Sequence, residues 1–403
     1  MSSLQKQLLK NKLPPMVPRG FGSASRARQN MRKREYTPLT WQKYFTEAKD
    51  VQVSQENVFR VYMKGSTGPL LLMLHGGGYS GLTWSLFAEY IVQMAECQVA
   101  AVDIRGHGET VTTDETNLSA DMLSNDIGAI YNTMYPDTMC QPPVILIGHS
   151  MGGAVAVHTA AKGSIYNLLG LIVLDVVEGT AIDALQSMQT FLKGRPQTFS
   201  SLEYAIEWCV RSGQVRNLES ARVSMPSQLK NMKTGQPATK ELCEPQATSP
   251  RGEELEAHDS PVIHSPNSIA EEVEEDGHHA SHESSHFTSP YATPQQENTV
   301  KYTWRIDLSK TEEHWRGWFA GLSSLFLSVP VPKLLLLAGV DRLDRDLTIG
   351  QMQGKFQMQV LPQCGHAVHE DVPDKVAEAV ATFLVRNKFT EPLSGFQRTF
   401  PAC

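Results

Sequence analysis

Residues 144 to 154 read Val144 Ile145 Leu146 Ile147 Gly148 His149 Ser150 Met151 Gly152 Gly153 Ala154. The first four are apolar and predict a buried strand of a parallel sheet, and the small residues after Ser150 predict a helix. A serine at such a sharp turn has a strained backbone that lifts its hydroxyl clear of the sheet edge. Gly148 and Gly152 fit this turn, because a Cβ at either position would collide with its other limb. The stretch therefore predicts a nucleophilic serine; a tight turn with an incidental serine is the alternative.

A second turn follows the apolar run of residues 70–74 and consists of a histidine and three glycines at residues 75–78. Acyl transfer places negative charge on the former carbonyl oxygen, so two backbone N–H donors are needed beside the nucleophile. We expect Gly77 to supply one donor, with Gly76 as the alternative, and Met151, directly after the nucleophile, to supply the other. A phosphate-binding loop is the weaker interpretation, because no Gly-Lys-Ser/Thr sequence follows.

The partners of a nucleophilic serine are sought after it in the chain. Residues 356–361 predict the last strand, and His366 follows it in a loop, where we expect the general base; nearby His369 is the alternative. Asp175 and Asp341 each follow a predicted strand, at the edge where α/β sheets assemble their sites. The order serine, acid, histidine is that of α/β-hydrolases, but the residues alone leave the choice of acid open.

Three further polar residues follow the predicted strand at residues 98–103. Asp103, Arg105 and His107 lie before the nucleophile, whereas the histidine of this type of site comes after it. We therefore expect them to tie their turn to the core and to take no part in the chemistry.

Together these elements predict an α/β-hydrolase fold, with a mostly parallel central sheet flanked by helices, a helical cap and a long disordered insertion. Proline, serine, glutamate and histidine dominate the insertion, which has too few aliphatic residues to offset its ordering entropy. The expected parts are a flexible basic arm (1–35), the first part of the core (36–178), the cap (179–231), the insertion (232–299), the cap continuation (300–330) and the second part of the core (331–403).

Some residues of the arm and the insertion suggest roles outside the fold. The basic cluster at residues 32–34 suggests nuclear import, and the serines and threonines that precede proline suggest phosphorylation by proline-directed kinases. The latter are Ser249, Ser260, Ser265, Ser289 and Thr293. Specific metal binding is not expected of the insertion's four histidines, because nothing imposes a ligand geometry on them. They are His278, His279, His282 and His286.

Composition narrows the class of protein. The net charge of -7 and the pI near 6.0 imply no general attraction to nucleic acid or to acidic membranes. Six cysteines without a Cys-x-x-Cys pair suit a reducing compartment and indicate no zinc site. No apolar stretch is long enough to span a bilayer. We expect a protein that is cytoplasmic, nuclear or both, that needs no metal or organic cofactor, and that is a monomer.

Three further stretches, at residues 337–344, 348–353 and 361–371, together with the serine turn, resemble the protein phosphatase methylesterase family. The resemblance covers roughly residues 32 to 230 and 301 to 403. It implies hydrolysis of the methyl ester on the carboxy-terminal leucine of the type 2A protein phosphatase catalytic subunit, through an acyl-enzyme, with release of methanol. It also implies binding to that subunit. Carried over by position, the nucleophile is Ser150, the acid Asp175 and the base His366, which leaves Asp341 a structural role.

Three other functions compete with this interpretation. A general carboxylesterase or lipase would use the same three residues and differ only in substrate preference. A protein that sequesters the phosphatase without chemistry would not need the strained serine turn. An epoxide or haloalkane hydrolase would need a carboxylate at position 150, where this chain has Ser150.

Overall fold

The computed structural model describes residues 35–243, 301–339, 343–393 and 395–396. Its largest element is an eight-stranded sheet of order β1-β2-β4-β3-β5-β6-β10-β11. The strands β1 and β4 pair antiparallel with β2, and the other neighbours in the sheet are parallel, so the predicted mostly parallel sheet is confirmed. The strands of the main sheet are β1 (Glu47–Gln52), β2 (Val58–Lys64), β3 (Leu70–Leu74), β4 (Gln98–Val102), β5 (Val144–His149), β6 (Leu168–Leu174), β10 (Lys333–Leu337) and β11 (Gln357–Val360).

Helices cover both faces of the sheet, because its central strands bury side chains on both sides. In β3, Leu70, Leu72 and Leu74 belong to one apolar cluster, whereas Leu71 and Met73 belong to the other. The longer helices are α1 (Ser85–Met94), α2 (Ala120–Met134), α3 (Met151–Lys162), α4 (Glu178–Lys193), α5 (Leu202–Ser212), α6 (Leu218–Ser227) and α12 (Pro373–Arg386). The shorter ones are α7 (Ala238–Cys243), α8 (Glu312–Phe319), α9 (Leu322–Ser328), α10 (Arg345–Met352) and α11 (Val368–Asp371).

The helices divide into two layers. The helices α2, α3, α8 and α9 supply buried side chains to the first apolar cluster, and α1 and α12 supply them to the second. Between the layers, the carboxyl ends of the parallel strands meet at one edge of the sheet, where the candidate site lies. No helix among the described residues is both long and apolar enough to cross a membrane.

The cap contains strands as well as the predicted helices. Its three-stranded antiparallel sheet has the order β7-β9-β8, with β7 at Thr198–Phe199, β8 at Leu229–Asn231 and β9 at Tyr302–Trp304. Because β9 lies between the other two, this sheet joins the segments that precede and follow the insertion.

The folded chain also extends beyond the boundary that we predict at residue 232. The side chain of Asn231 accepts hydrogen bonds from the backbone of Lys233 and Thr234 and closes a turn before α7. In α7, Thr239 is buried and donates a 2.6 Å hydrogen bond to Glu109. Residues 232–243 are therefore held by polar contacts that a count of aliphatic residues does not detect. The predicted arm up to residue 34, the rest of the insertion with its phosphorylation sites and histidines, and Asp341 lie outside the described residues.

Candidate active site

Ser150 lies at the turn between β5 and α3 with φ 54° and ψ −120°, backbone angles that residues other than glycine rarely adopt. The turn is tight enough that only glycine fits beside it. A Cβ at Gly148 would lie 2.1 Å from the carbonyl oxygen of Gly152, and one at Gly152 would lie 2.4 Å from that of His75. The hydroxyl-bearing residue is thereby presented at the sheet edge, as the sequence predicts.

His366 and Asp175 are joined by a hydrogen bond. The ring Nδ1–H donates to Asp175 Oδ2 at 2.7 Å, while Asp175 Oδ1 accepts from the backbone N–H of Ala338 at 2.9 Å. Asp175 follows β6 with φ 52°, and its own N–H donates to the carbonyl of Leu336 at 2.7 Å. Both carboxylate oxygens are fixed, so the acid holds the imidazole with Nδ1 protonated and leaves Nε2 able to accept a proton.

Ser150, Asp175 and His366 all line one cavity, which encloses about 1080 Å³ that no atom occupies, including solvent at its mouth. One wall is apolar and comes from α4 and α8. Its large side chains are Leu185, Met188, Phe191, Leu192, Trp315, Trp318 and Phe319. Such a wall suits an apolar group placed next to the serine.

The glycine-rich turn after β3 borders the same cavity. Gly77 and Met151 are among the residues that line it, whereas Gly76 is buried, and a Cβ there would lie 3.0 Å from His149 Nδ1. The N–H of Gly78 already donates to the ring of His107 at 2.9 Å. The geometry therefore favours Gly77 over Gly76 as an oxyanion donor, beside Met151 at the positive end of α3.

Two buried histidines hold this turn in place. His107 accepts from Gly78 through Nε2 and donates through Nδ1 to the carbonyl of Arg105 at 2.8 Å. His75 accepts from the N–H of Ile104 at 3.0 Å and donates to the carbonyl of Gly76 at 2.8 Å. Burial lowers the pKa of both rings, that of His107 to about 4, so both stay neutral at physiological pH. This role of the two histidines is not evident from sequence, because no local spacing reveals a contact across 29 residues.

Asp103 and Arg105 make the structural contacts expected of them. Asp103 accepts from the backbone N–H of Gly81 at 2.7 Å and from that of Glu109 at 2.9 Å. Arg105 pairs with Asp126 through two nitrogens, at 2.7 and 2.8 Å. Neither residue is among those that line the cavity.

The alternative base, His369, lies away from the cavity. It is fully buried, and its ring centroid is 4.1 Å from that of Trp84. Its pKa is lowered well below the ordinary value, chiefly by burial. A ring enclosed in this way cannot reach an ester held at Ser150, whereas His366 lines the same cavity as the serine.

The sheet and the serine turn define the class of protein. Residues 71–379 match the model of the alpha/beta hydrolase family, so the chain is an α/β hydrolase. Two solved structures share the fold at low identity. E-2-(acetamidomethylene)succinate hydrolase superposes with a TM-score of 0.56 at 17% identity, over 84% of this chain and 99% of that one. An esterase of Mycobacterium tuberculosis superposes with a TM-score of 0.53 at 17% identity, over 91% and 100%.

Relatives with higher identity narrow the class further. Protein phosphatase methylesterase 1 of Mus musculus and that of Homo sapiens are each 55% identical to this chain over the full length of both. A probable protein phosphatase methylesterase 1 of Caenorhabditis elegans is 42% identical over 97% of this chain and 87% of its own. The chain belongs to the protein phosphatase methylesterase family and is a carboxylic ester hydrolase, which confirms the resemblance drawn from its sequence.

Proposed function

We propose that this protein removes the methyl ester from the carboxy-terminal leucine of the type 2A protein phosphatase catalytic subunit. The observation that carries the proposal is the cavity in which Ser150, the bonded pair of His366 and Asp175, and an apolar wall meet. The wall suits a leucine side chain, and the methyl ester is a small neutral group that the serine can reach. The names of the relatives supply the phosphatase as the class of substrate.

In the first half of the proposed reaction, Ser150 Oγ attacks the ester carbonyl carbon and His366 Nε2 takes the hydroxyl proton. The carbonyl oxygen becomes an oxyanion, which the N–H groups of Gly77 and Met151 stabilise. When the tetrahedral intermediate collapses, the bond to the methoxy oxygen breaks. His366 returns its proton to that oxygen, so methanol leaves and the leucine acyl group stays on Ser150.

In the second half, water replaces methanol. The water oxygen attacks the acyl carbon while His366 takes a proton from the water. The N–H groups of Gly77 and Met151 stabilise the second oxyanion as well. Collapse of this intermediate breaks the bond to Ser150 Oγ, which recovers its proton from His366. The product is the free carboxylate, and no metal or organic cofactor takes part in either half.

We also propose that the protein acts as a monomer in the cytoplasm, the nucleus or both, where the phosphatase subunit is its partner as well as its substrate. Buried free thiols, such as those of Cys97, Cys209 and Cys364, suit a reducing compartment. Cell fractionation and light scattering of the purified protein test location and oligomeric state. Recovery with secreted proteins, or as a stable dimer, would contradict this part of the proposal.

The activity is tested with carboxymethylated phosphatase catalytic subunit and with Ser150→Ala as the matched variant. Mass spectrometry follows loss of the methyl group, and co-purification follows binding. We expect the wild type to remove the ester, and Ser150→Ala to bind the subunit without removing it. A short nitrophenyl ester is the comparison substrate for general esterase activity.

The other outcomes assign the protein to one of the competing functions. Binding by both proteins without loss of the ester identifies a sequestering protein and contradicts the proposal. Hydrolysis of the nitrophenyl ester with neither binding to nor demethylation of the phosphatase identifies a general esterase and contradicts it as well.

A further inference from the structure

The cavity beside Ser150 has one positive charge in its wall. Among the described residues that line it, Arg195 is the only lysine or arginine, and Asp175, bonded to His366, is the only carboxylate. The remaining polar side chains of the wall are uncharged amides and hydroxyls. They are those of Tyr79, Thr180, Gln214 and Gln228. The proposed mechanism uses none of these side chains and leaves the arginine without a role.

Arg195 is held in position by aromatic rings. It follows the end of α4, and its guanidinium carbon lies 4.1 Å from the ring centroid of Trp304 and 5.9 Å from that of Phe191. The indole of Trp304 is itself fixed, because its N–H donates to the carbonyl of Pro196 at 2.8 Å. The guanidinium is therefore ordered before any ligand arrives, which lowers the entropy cost of binding one.

No carboxylate among the described residues forms an ion pair with Arg195. Its Nε is buried and has no hydrogen-bond partner among the described residues. Tyr79 and Asp307 both act on this charge. Burial raises the pKa of Tyr79, so its hydroxyl is neutral, and Asp307 already accepts a hydrogen bond from Ser309 and pairs with Lys310. Burial lowers the pKa of Arg195 to about 10, so the side chain is still a cation at neutral pH. A cation that is partly shielded from water in this way is stabilised when an anion binds to it.

We infer that Arg195 is a specificity residue that binds a carboxylate carried by the acyl part of the ester substrate. This inference rests on the proposed function, and it requires a phosphatase tail with an acidic side chain close to the esterified leucine. The proposal places the leucine against the apolar wall beside Ser150 and the acidic side chain at the guanidinium, which lines the same cavity. A planar guanidinium suits a carboxylate, which it can bind through two N–H groups.

Two pairs of substrates test the role of Arg195. The first pair is a synthetic decapeptide that ends in leucine methyl ester, with acidic residues at the second to fourth positions from the end, and the same peptide with the corresponding amides. The second pair is mono-4-nitrophenyl adipate and 4-nitrophenyl hexanoate, which differ in a terminal carboxylate and need no phosphatase sequence. For each pair the ratio of kcat/KM, acidic over neutral, is measured in one protein, so partial loss of folded protein cancels.

We expect the wild type to prefer the acidic member of each pair by about 10- to 100-fold, mainly through KM. Arg195→Met keeps an unbranched apolar side chain but loses the guanidinium over Trp304, and should reduce the ratio to near one. Arg195→Lys keeps a positive charge and should keep part of the preference. Lys193→Met removes an exposed positive charge two residues away and should keep the full ratio.

The remaining outcomes separate this inference from the proposed function. A ratio near one in the wild type, or an unchanged ratio in Arg195→Met, overturns the role of Arg195. If wild-type protein leaves the carboxymethylated phosphatase subunit intact but prefers the adipate ester in an Arg195-dependent way, the proposed function fails and the role of Arg195 stands. The free-acid peptides are also tested as inhibitors. If Arg195→Met changes only their inhibition, Arg195 binds the product carboxylate and the inference is overturned.

Discussion

His149 donates a hydrogen bond from Nε2 to the backbone carbonyl of His366 at 2.8 Å, and the two ring centroids lie 4.7 Å apart. The residue before the nucleophile therefore holds the loop that carries the proposed base. Burial is the main reason that the pKa of His149 is lowered, to about 3, so its ring is neutral and its Nε2–H is kept for this bond. The serine turn and the histidine loop, 217 positions apart, are positioned as one unit.

Replacing His149 tests whether this bond positions the base. His149→Leu fills the same space with an apolar side chain that has no donor. We therefore expect kcat on a nitrophenyl ester to fall by about 10²-fold with KM little changed. His149→Gln keeps an N–H donor and should recover much of the loss. If the leucine variant retains the wild-type kcat, or the glutamine variant is no better than leucine, the bond does not position His366.

Asp175→Asn tests the acid. The backbone N–H of Ala338 donates to Asp175 Oδ1, so an asparagine would place its carbonyl oxygen there and its NH₂ toward His366. That arrangement favours the imidazole with its proton on Nε2, which cannot act as a base, and we expect kcat to fall by about 10⁴-fold. Asp341→Asn is the matched variant and should keep a rate close to that of the wild type. A larger loss for Asp341→Asn would show that the acid is Asp341.

Gly152→Ala tests the tight turn at the nucleophile. A Cβ at this position would lie 2.4 Å from the carbonyl oxygen of His75 and 2.5 Å from that of Leu74, so the backbone must shift. We expect the free energy of unfolding to fall by more than about 2 kcal/mol and esterase activity to be lost. Gly317→Ala in α8 has no atom within 4 Å of its added Cβ, so it should keep full activity and raise the free energy of unfolding by up to about 1 kcal/mol. A Gly152→Ala protein as stable and active as the wild type would contradict the described turn.

Glu370 makes stability depend on pH. It is fully buried, accepts a hydrogen bond from Ser220 Oγ at 2.8 Å, and burial raises its pKa to about 8 from an ordinary 4.5. The folded state therefore keeps a proton that the unfolded chain releases. The stability that this gives is full below about pH 4.5 and is lost as the pH rises through about 8.

Glu370→Gln is neutral at every pH, so its free energy of unfolding relative to the wild type should increase as the pH rises through this range. Urea unfolding at a series of pH values between about 5 and 9 measures the difference. Glu313→Gln replaces an exposed side chain and is the matched control. Its free energy of unfolding relative to the wild type should depend little on pH. A constant difference between Glu370→Gln and the wild type would mean that Glu370 is ionised in the folded protein.

The serine turn could be predicted from sequence because its signals are local. The apolar strand, the serine and the small residues that start α3 are adjacent in the chain, and Gly148 and Gly152 meet the close contacts expected of them. The position of His366 after the last strand likewise follows from chain order. The choice between Asp175 and Asp341 does not follow from the residues, because both come after predicted strands, and only the family resemblance selects Asp175.

Other features depend on contacts that no local pattern reveals. The strands β7 and β9 have only two and three residues, too few to show the alternation of apolar and polar residues that predicts a strand. They also pair across the insertion. The order of residues 232–243 rests on hydrogen bonds such as that of Thr239 with Glu109, 130 positions away. The sequence alone does not single out Arg195, because its place in the wall of the cavity beside Ser150 depends on the fold.

The central claim is that Ser150 removes the methyl group by attack on the acyl carbon. It is tested most directly by following demethylation of the carboxymethylated phosphatase subunit in water enriched in ¹⁸O, with mass spectrometry of both products. We expect the label in the leucine carboxylate, unlabelled methanol, and no reaction with Ser150→Ala. Label in the methanol, or demethylation by Ser150→Ala at the wild-type rate, would contradict the proposed mechanism.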